Sequence, residues 1–486
     1  MQTQTQASAI LSPENNRAPD SIRHIHLMGI CGTGMASLAG MLKQEGYVVT
    51  GSDQNVYPPM STYLESLSIP ILQGYHPSNL HPLPDLVIVG NVITRLHPEA
   101  VELGRLSVPY LSMPQAIQVF AVRGRKCIVV AGTHGKTTTT ALVSWLLEKA
   151  GLDPGFLVGG IPGNFDQGFR LGKGPYFVIE GDEYDTAFFD KGPKFLHYSP
   201  WVVILTSIEF DHADIYRDLN HVRESFRKLL RLVPHEGRLI ANCDDPVVVA
   251  ESQVAACPTI FYGLESGALW TARNITFQPQ ETYLEVLRDN EEPLAVRTPL
   301  YGKYNVSNLL SVVALGDFLR IDSRFILEAL ASFRGVRRRQ EIKGEKRGVL
   351  VLDDFAHHPT AVRETIQAVR EKYEGRRLIA AFEPRSNSSR RKTFQHEYAL
   401  AFDKADVILI PEPTSMEKIH PDERFSSITL VEDLKKRGLD AHYFLQTSLL
   451  LEEILRIGRR GDVVLTLSNG AFDNLAETII AKLDAQ

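Results

Sequence analysis

The segment Gly132-Thr133-His134-Gly135-Lys136-Thr137-Thr138 joins an apolar run to a row of hydroxyls, and its residue types suit a nucleoside triphosphate. Glycines let backbone N–H groups close around phosphate oxygens, Lys136 brings a cation toward the β- and γ-phosphates, and Thr137 offers an oxygen to Mg²⁺. In the usual spacing the first glycine would fall at Val130, whereas the nearest one is Gly132, so this is a shortened phosphate loop. Two acidic strand ends belong to the same chemistry. Residues 177–179 run into Glu180-Gly181-Asp182-Glu183-Tyr184-Asp185, and residues 201–205 lead to Asp211-His212. In a parallel sheet both ends lie beside Thr137, which makes Thr137, Glu180 and His212 the candidate Mg²⁺ ligands.

A second phosphate-type turn lies near the N-terminus, Gly29-Ile30-Cys31-Gly32-Thr33-Gly34-Met35, and Asp53 follows nineteen residues after Gly34. That is where a dinucleotide fold places its ribose-binding acid. Cys31, however, replaces the glycine that lets the backbone approach a pyrophosphate. A phosphate-bearing nucleotide of another kind, NAD, and a plain tight turn all remain open on these residues alone. Asn91 lies in a further loop at the carboxyl end of a strand.

The elements needed to hold these residues are legible. Residues 25–28, 47–50 and 86–89 read as buried strands. Met35, Leu38, Ala39 and Leu42 repeat at helical spacing until Gly46, and Leu142, Leu146 and Ala150 do so until Gly151. Farther on, Gly302-Lys303-Tyr304-Asn305-Val306-Ser307-Asn308 opens a helix that places two asparagines on one face. After Arg337-Arg338-Arg339 the chain alternates strands (349–352, 378–382, 407–410, 463–467) with helices, the pattern of a parallel α/β unit. Its strand ends carry Asp353-Asp354-Phe355-Ala356-His357-His358-Pro359, Glu383-Pro384-Arg385-Ser386-Asn387 and Ser468-Asn469-Gly470.

At 486 residues and 44% apolar composition the chain can bury about three domain cores. Dispersed charges and a net charge of −6 argue against nucleic acid or anionic lipid as a partner. No apolar run approaches the roughly 20 residues that cross a bilayer, and the N-terminus lacks a secretion signal, so a cytoplasmic protein is expected. Cys31, Cys127, Cys243 and Cys257 have no metal-ligand spacing. The expected division is a mobile tail at 1–21, then domains at 22–123, 124–334 and 335–486.

Taken in order, the glycine turn, Gly-Thr-His-Gly-Lys-Thr-Thr, Glu-Gly-Asp-Glu-Tyr-Asp, Asp-His, Gly-Lys-x-Asn-x-x-Asn, Arg-Arg and Asp-Asp-Phe-Ala-His-His-Pro resemble the Mur ligase family from about Arg23 onward. The resemblance implies an α/β protein of three domains: Rossmann-like for a UDP-sugar, a central P-loop ATPase-type parallel sheet for ATP and Mg²⁺, and a C-terminal Rossmann-like unit for an amine. It implies ATP-dependent amide-bond formation through an acyl phosphate, with Lys136, Glu180, His212, Arg339 and Asp354 catalytic. Gly132 to Thr138, Asn308 and Arg339 would hold ATP. Gly29, Cys31, Gly32, Thr33, Gly34, Met35, Ser52, Asp53, Asn91 and Asn164 would serve the UDP-sugar, in place of NAD. Phe355, His357, His358, Arg385, Ser386 and Asn387 would meet the amine substrate. Runs such as residues 52–61, which include Pro58-Pro59, and residues 182–191 resemble members that join UDP-N-acetylmuramate to the recycled tripeptide L-alanyl-γ-D-glutamyl-meso-diaminopimelate in peptidoglycan recycling. In members that add L-alanine, the third-domain motifs read Asp-Asp-Tyr-Gly-His-His-Pro and Pro-His-Arg-Tyr-x-x-Arg. Here Phe355-Ala356 stands in the first, and Ser386 and Ser389 replace both arginines of the second. An L-alanine ligase is the alternative, a nucleotide-switch protein the alternative from another class, and a monomer is expected.

Overall fold

The computed structural model describes residues 8–485 except 58, 59, 266 and 290; residues 1–7 of the expected tail and the pair Pro58-Pro59 lie outside the described residues. The N-terminal unit is an all-parallel five-stranded sheet in the order Ile71–Gln73, Val48–Asp53, His24–Met28, Leu86–Val89, Tyr110–Ser112. Strand order reverses between His24–Met28 and Leu86–Val89, and such a reversal opens a crevice above the carboxyl ends. Gly29 turns the chain there at φ +80°, with Val92 3.0 Å from where a Cβ would stand, so only glycine fits. The helix Thr33–Gln44 follows and buries Met35, Leu38, Ala39 and Leu42 on the sheet.

Residues 8–21 are not a free tail. Ala9 donates its N–H to the Arg95 carbonyl at 2.7 Å and is buried, Tyr110 Oη donates to the Ser12 carbonyl at 3.1 Å, and Asn16 Nδ2 donates to the Tyr110 carbonyl at 3.1 Å. The segment is fastened by polar groups bonded to main chain. Its composition offers little to bury, which is why it reads as a tail.

The central sheet has ten strands in the order Leu294–Thr298, Thr282–Arg288, Trp270–Phe277, Thr259–Tyr262, Arg238–Asn242, Pro200–Leu205, Lys126–Ala131, Tyr176–Gly181, Gly155–Leu157, Phe169–Arg170. Its middle is parallel and buried on both faces, so these strands are continuous Val/Ile runs instead of alternating ones. Lys126–Ala131 sits between the strand that carries Glu180 and the strand that leads to Asp211-His212: Val130 is paired with Glu180, and Ala131 with Leu205. The helix Lys136–Lys149 starts at Gly135, φ +81°, and packs against helices Lys303–Phe318 and Ser323–Ser332. A hairpin of Asp185–Ala187 and Asp190–Pro193 leaves this unit and lays Phe188 and Phe189 on the N-terminal one, with Phe189 edge-on to Tyr110 at 4.9 Å and Leu11 in the same cluster.

The chain crosses into the third unit over a few residues. Val336 still belongs to the central core and bridges to Pro162, while Gln340 N already bonds Asp354. Gly335, Arg338 and Gln340 have φ of +68°, +59° and +52°, so the crossing is made by residues held in the left-handed region. The third sheet runs Glu341–Lys346, Val349–Asp354, Val463–Leu467, Leu378–Phe382, Val407–Pro411, Ala441–Phe444, antiparallel at the first pair and parallel elsewhere. Among the described residues no helix is long and apolar enough to cross a membrane.

Candidate active site

The phosphate loop is held from beneath by the strand end at Leu205. Gly132 has φ +132°, and a Cβ on it would stand 2.2 Å from Thr206 Oγ1, so the close approach requires glycine. Thr133 N donates to the Ser207 carbonyl (2.9 Å) and His134 N to Ser207 Oγ (3.0 Å). Those two N–H groups are therefore spent on shaping the loop. The donors left for phosphate are first-turn N–H groups of the helix, Lys136 to Thr138, which have no intrahelical acceptor. Asn308 presses its amide on the loop: a Cβ at Gly135 would stand 2.5 Å from Asn308 Oδ1, and Asn308 Nδ2 is 3.3 Å from Asn305 Oδ1.

Lys136 Nζ donates to the Gly132 carbonyl (2.6 Å) and to Glu183 Oε2 (3.1 Å). Burial works against its charge, but Glu183 and Asp182 outweigh that and hold its pKa above the ordinary lysine value. Glu183 also meets His212 Nε2 at 3.0 Å, and burial of the His212 ring is outweighed by Glu183 and Asp211, which raise its pKa. Thr137 Oγ1 donates to Glu180 Oε2 at 3.1 Å. Burial, then Asp182, raise the Glu180 pKa. A hydroxyl beside a half-buried carboxylate with an excess of acids is an oxygen donor set that suits a hard cation. His212 is turned to Glu183, which also holds Lys136, so of the three expected ligands Thr137 and Glu180 stand together and His212 is bonded to a different acid.

From the third unit, Arg339 Nη2 reaches Thr137 Oγ1 at 3.2 Å, its guanidinium lying 4.8 Å over the Phe355 ring. Asp354 is buried, and both its oxygens accept main-chain N–H groups, of Gln340 and Ala356, each at 2.7 Å. Through Gln340 N it shapes the crossing that presents Arg339. Asn164 is occupied likewise. Its amide spans the Ser332 carbonyl and Arg334 N (2.8 and 2.7 Å), so it joins the phosphate-loop unit to the start of the crossing.

A cavity of about 240 Å³ opens between the central and third units, lined by Tyr184, Asp211, His212, His357, Arg385, Ser386, Asn387, Ser388 and Asn469. Four of the six residues expected at the amine substrate line it. Phe355 and His358 do not: Phe355 lies under the Arg338 and Arg339 guanidiniums, and His358 turns to the Phe210 carbonyl and caps the helix Pro359–Lys372. Arg385 Nη1 is 3.3 Å from Glu383, Ser386 Oγ donates to Ser389 Oγ at 2.9 Å, and Asn387 Nδ2 bonds Asp214 at 2.8 Å. Tyr184, Asp211, Glu183 and Asn469 were not singled out for these roles. Their sequence signal is membership of the stretches at 180–185, 211–212 and 468–470, which does not say what each side chain faces.

His134, Glu209 and His358 converge closely enough to suggest a metal. Both His358 nitrogens are engaged, however: Nδ1 accepts from Thr360 N (3.3 Å) and Nε2 donates to the Phe210 carbonyl (3.1 Å), so no lone pair is free for an ion. Glu209 is instead a clasp. Its N–H bonds Thr133 Oγ1 (2.8 Å), and its carboxylate takes the Thr360 hydroxyl of the third unit (2.7 Å) and lies 3.4 Å from His134. Burial would raise its pKa, yet His134 and Thr360 bring it down to about 2.

At the N-terminal crevice, Asn91, Gly32 and Thr33 are exposed and Cys31 and Gly34 half-buried. Ser52 and Asp53 are buried, and their polar groups are spent on neighbours: Ser52 Oγ donates to Glu99, and Asp53 accepts from Cys31 N and Asn55 N, both at 2.9 Å. Asp53 thus organises the loop through both of its oxygens. The spacing from Gly34 is the same for this role and for ribose binding.

Domain signatures match the chain in three consecutive pieces: "Mur ligase family, catalytic domain" at residues 24–125, "Mur ligase middle domain" at 130–316 and "Mur ligase, glutamate ligase domain" at 338–470. The UDP-N-acetylmuramate–L-alanyl-γ-D-glutamyl-meso-2,6-diaminoheptandioate ligase of Escherichia coli (strain K12) is 40% identical over 457 residues, 94% of this chain and 97% of that one. A crystal structure of a murein peptide ligase from Psychrobacter arcticus 273-4 superposes with a TM-score of 0.71 at 33% identity, covering 95% of this chain and 98% of that one. The UDP-N-acetylmuramate-alanine ligase structure from Thermotoga maritima gives 0.79 at 26%, covering 96% and 100%. Backbone likeness thus spans both activities, and the side chains of the cavity must distinguish them.

Proposed function

We propose, for a chain that belongs to the Mur ligase family, that it is the ATP-dependent, ADP-forming ligase joining UDP-N-acetylmuramate to L-alanyl-γ-D-glutamyl-meso-diaminopimelate. The reading takes residues 22–123 as the UDP-sugar unit, 124–334 as the ATP unit and 335–486 as the amine unit, acting as a cytoplasmic monomer. The lactyl carboxylate of the sugar attacks the γ-phosphorus of ATP, ADP leaves, and the peptide amine attacks the acyl phosphate, expelling phosphate. A carboxylate is too poor an acyl donor to react without this activation. In the transfer Lys136 leaves Glu183 for the phosphates, and Arg339 stands beside Thr137 to balance charge on the moving phosphoryl group. Mg²⁺ would be held by Thr137 and Glu180 and would neutralise charge on the phosphate oxygens. Contacts between central and third units, such as Asp214 with Asn387, keep water from the acyl phosphate.

The observation that carries the peptide assignment is the serine pair. Where L-alanine-adding members have arginines to clamp a small carboxylate, Ser386 and Ser389 bond each other and leave room in the cavity beside Arg385. Each forfeited charge-assisted bond is worth about 1.5–3 kcal/mol, a loss that a longer peptide with more distant charged groups can offset. The test compares kcat/KM for L-alanine and the tripeptide. The tripeptide is expected to win by at least ~100-fold, and a preference for L-alanine would make this an alanine-adding enzyme.

A further inference from the structure

Glu99 is wholly buried in the N-terminal unit, away from the phosphates, yet three side chains from three elements donate to it. His26 Nε2 lies at 2.7 Å and Ser52 Oγ at 3.0 Å, both on Oε1, and Asn79 Nδ2 at 3.0 Å on Oε2. His26 continues outward through Thr50 Oγ1 (2.9 Å) to His24 (2.8 Å). Burying such a group without partners costs several kcal/mol, so a fully satisfied carboxylate here holds a definite arrangement in place.

That arrangement is the nucleotide crevice. Through one arm Glu99 fixes Ser52, whose carbonyl accepts from Gly29 N (2.8 Å) and Ile30 N (3.1 Å). Through the other it fixes Asn79, which also donates to the Gly74 carbonyl (2.9 Å), and Gly74 N donates to the Asp53 carbonyl (2.8 Å). Asp53 in turn takes Cys31 N. The N–H groups of the turn from Gly29 to Cys31 are thereby consumed inward. The first-turn N–H groups of the following helix, at Thr33 to Met35, are left to face an anion.

On the reading that this unit takes the UDP-sugar, we infer that Glu99 is a positioning residue for that substrate: it clamps residues 52 and 53 from both sides and so sets the glycine turn against which the diphosphate lies. It touches neither substrate nor reacting atoms. A carboxylate is required because it accepts all three bonds, whereas an amide would point its NH₂ at one of the three donors.

The experiment is calorimetric titration of the full chain with UDP-N-acetylmuramate, together with initial-rate kinetics, for wild type, Glu99→Gln, Ser52→Ala and the double variant. Glu99→Gln is expected to raise Kd and KM for the UDP-sugar at least tenfold, leaving kcat and the KM for ATP and tripeptide unchanged. Ser52→Ala, which breaks one arm only, should give a smaller rise, and the double variant should match Glu99→Gln. A merely structural role would instead lower the active fraction and kcat at constant KM. That result, or multiplicative effects of the two substitutions, overturns the inference. Should Glu99→Gln fail to fold, Ser52→Ala alone decides through the same split. Wild-type protein that does not bind UDP-N-acetylmuramate would sink the substrate reading itself, whereas tight binding by wild type and Glu99→Gln alike would sink only the clamp.

Discussion

At the scale of single residues, Lys136 is the group whose replacement separates chemistry from architecture. Lys136→Met keeps the length and apolar stem and removes the cation. Turnover is therefore expected to fall by roughly 10²–10³-fold or more, while the circular-dichroism spectrum stays native. Its acid neighbour keeps His212 as a partner, which limits the damage to the fold. Wild-type phosphate release from the folded variant would remove Lys136 from the reaction. Lys136 and Thr137 were legible because a phosphate loop has a required order, and Glu180 because it ends an apolar run. Asp53, Asp354 and Asn164 were legible as motif members but not in what they touch. All three spend their polar atoms on main chain, and hydrogen-bond partners distant in sequence leave no periodic trace. Phe355 and His358 show the converse: adjacency to His357 in the chain says nothing of which way an irregular loop turns each side chain.

Among the elements, the join between the phosphate loop and the N-terminus of helix Pro359–Lys372 responds to pH. Glu209 faces His134 and His358 at this contact, and His358 also faces Asp211 and His357. Burial, with His134 next to it, lowers the His358 pKa to about 4, and Glu209 sits at about 2. Both values lie below the ordinary ones, so each group favours the closed arrangement at neutral pH. His358 loses its contribution as pH falls from ~6.5 through 4, and Glu209 as pH falls from ~4.3 through 2. Small-angle scattering should accordingly report a larger radius of gyration at pH 4.5 than at 7.5, an increase that Thr360→Val shifts to higher pH. A constant radius would mean that Glu209 clasps nothing. The strands and helices on either side were readable from their apolar periods, whereas the clasp was not. It is built from single polar residues of the phosphate loop, of the stretch after Leu205 and of the first turn of helix Pro359–Lys372, far apart in the sequence.

Over the whole molecule, the three-unit plan was legible from motif order and chain length. The way the units grip one another was not, because the gripping parts are short and belong to no repeat. The hairpin of residues 185–193 shows what that means for anyone shortening the protein. It leaves the central unit directly after Glu183 and Tyr184, and its Phe189 rests on Tyr110, whose hydroxyl is held by Ser12 and whose cluster includes Leu11. Trimming to Arg23, where hydrophobicity first rises, would spare every motif residue yet strip the outer wall from this seat. Such a trimmed enzyme is expected to keep its ATP affinity and to need several-fold more UDP-sugar for half its maximal rate. An unchanged requirement would show that the wall is ornamental. A purification handle is accordingly better carried at the far end of the chain, where it leaves residues 8–16 seated on the N-terminal unit.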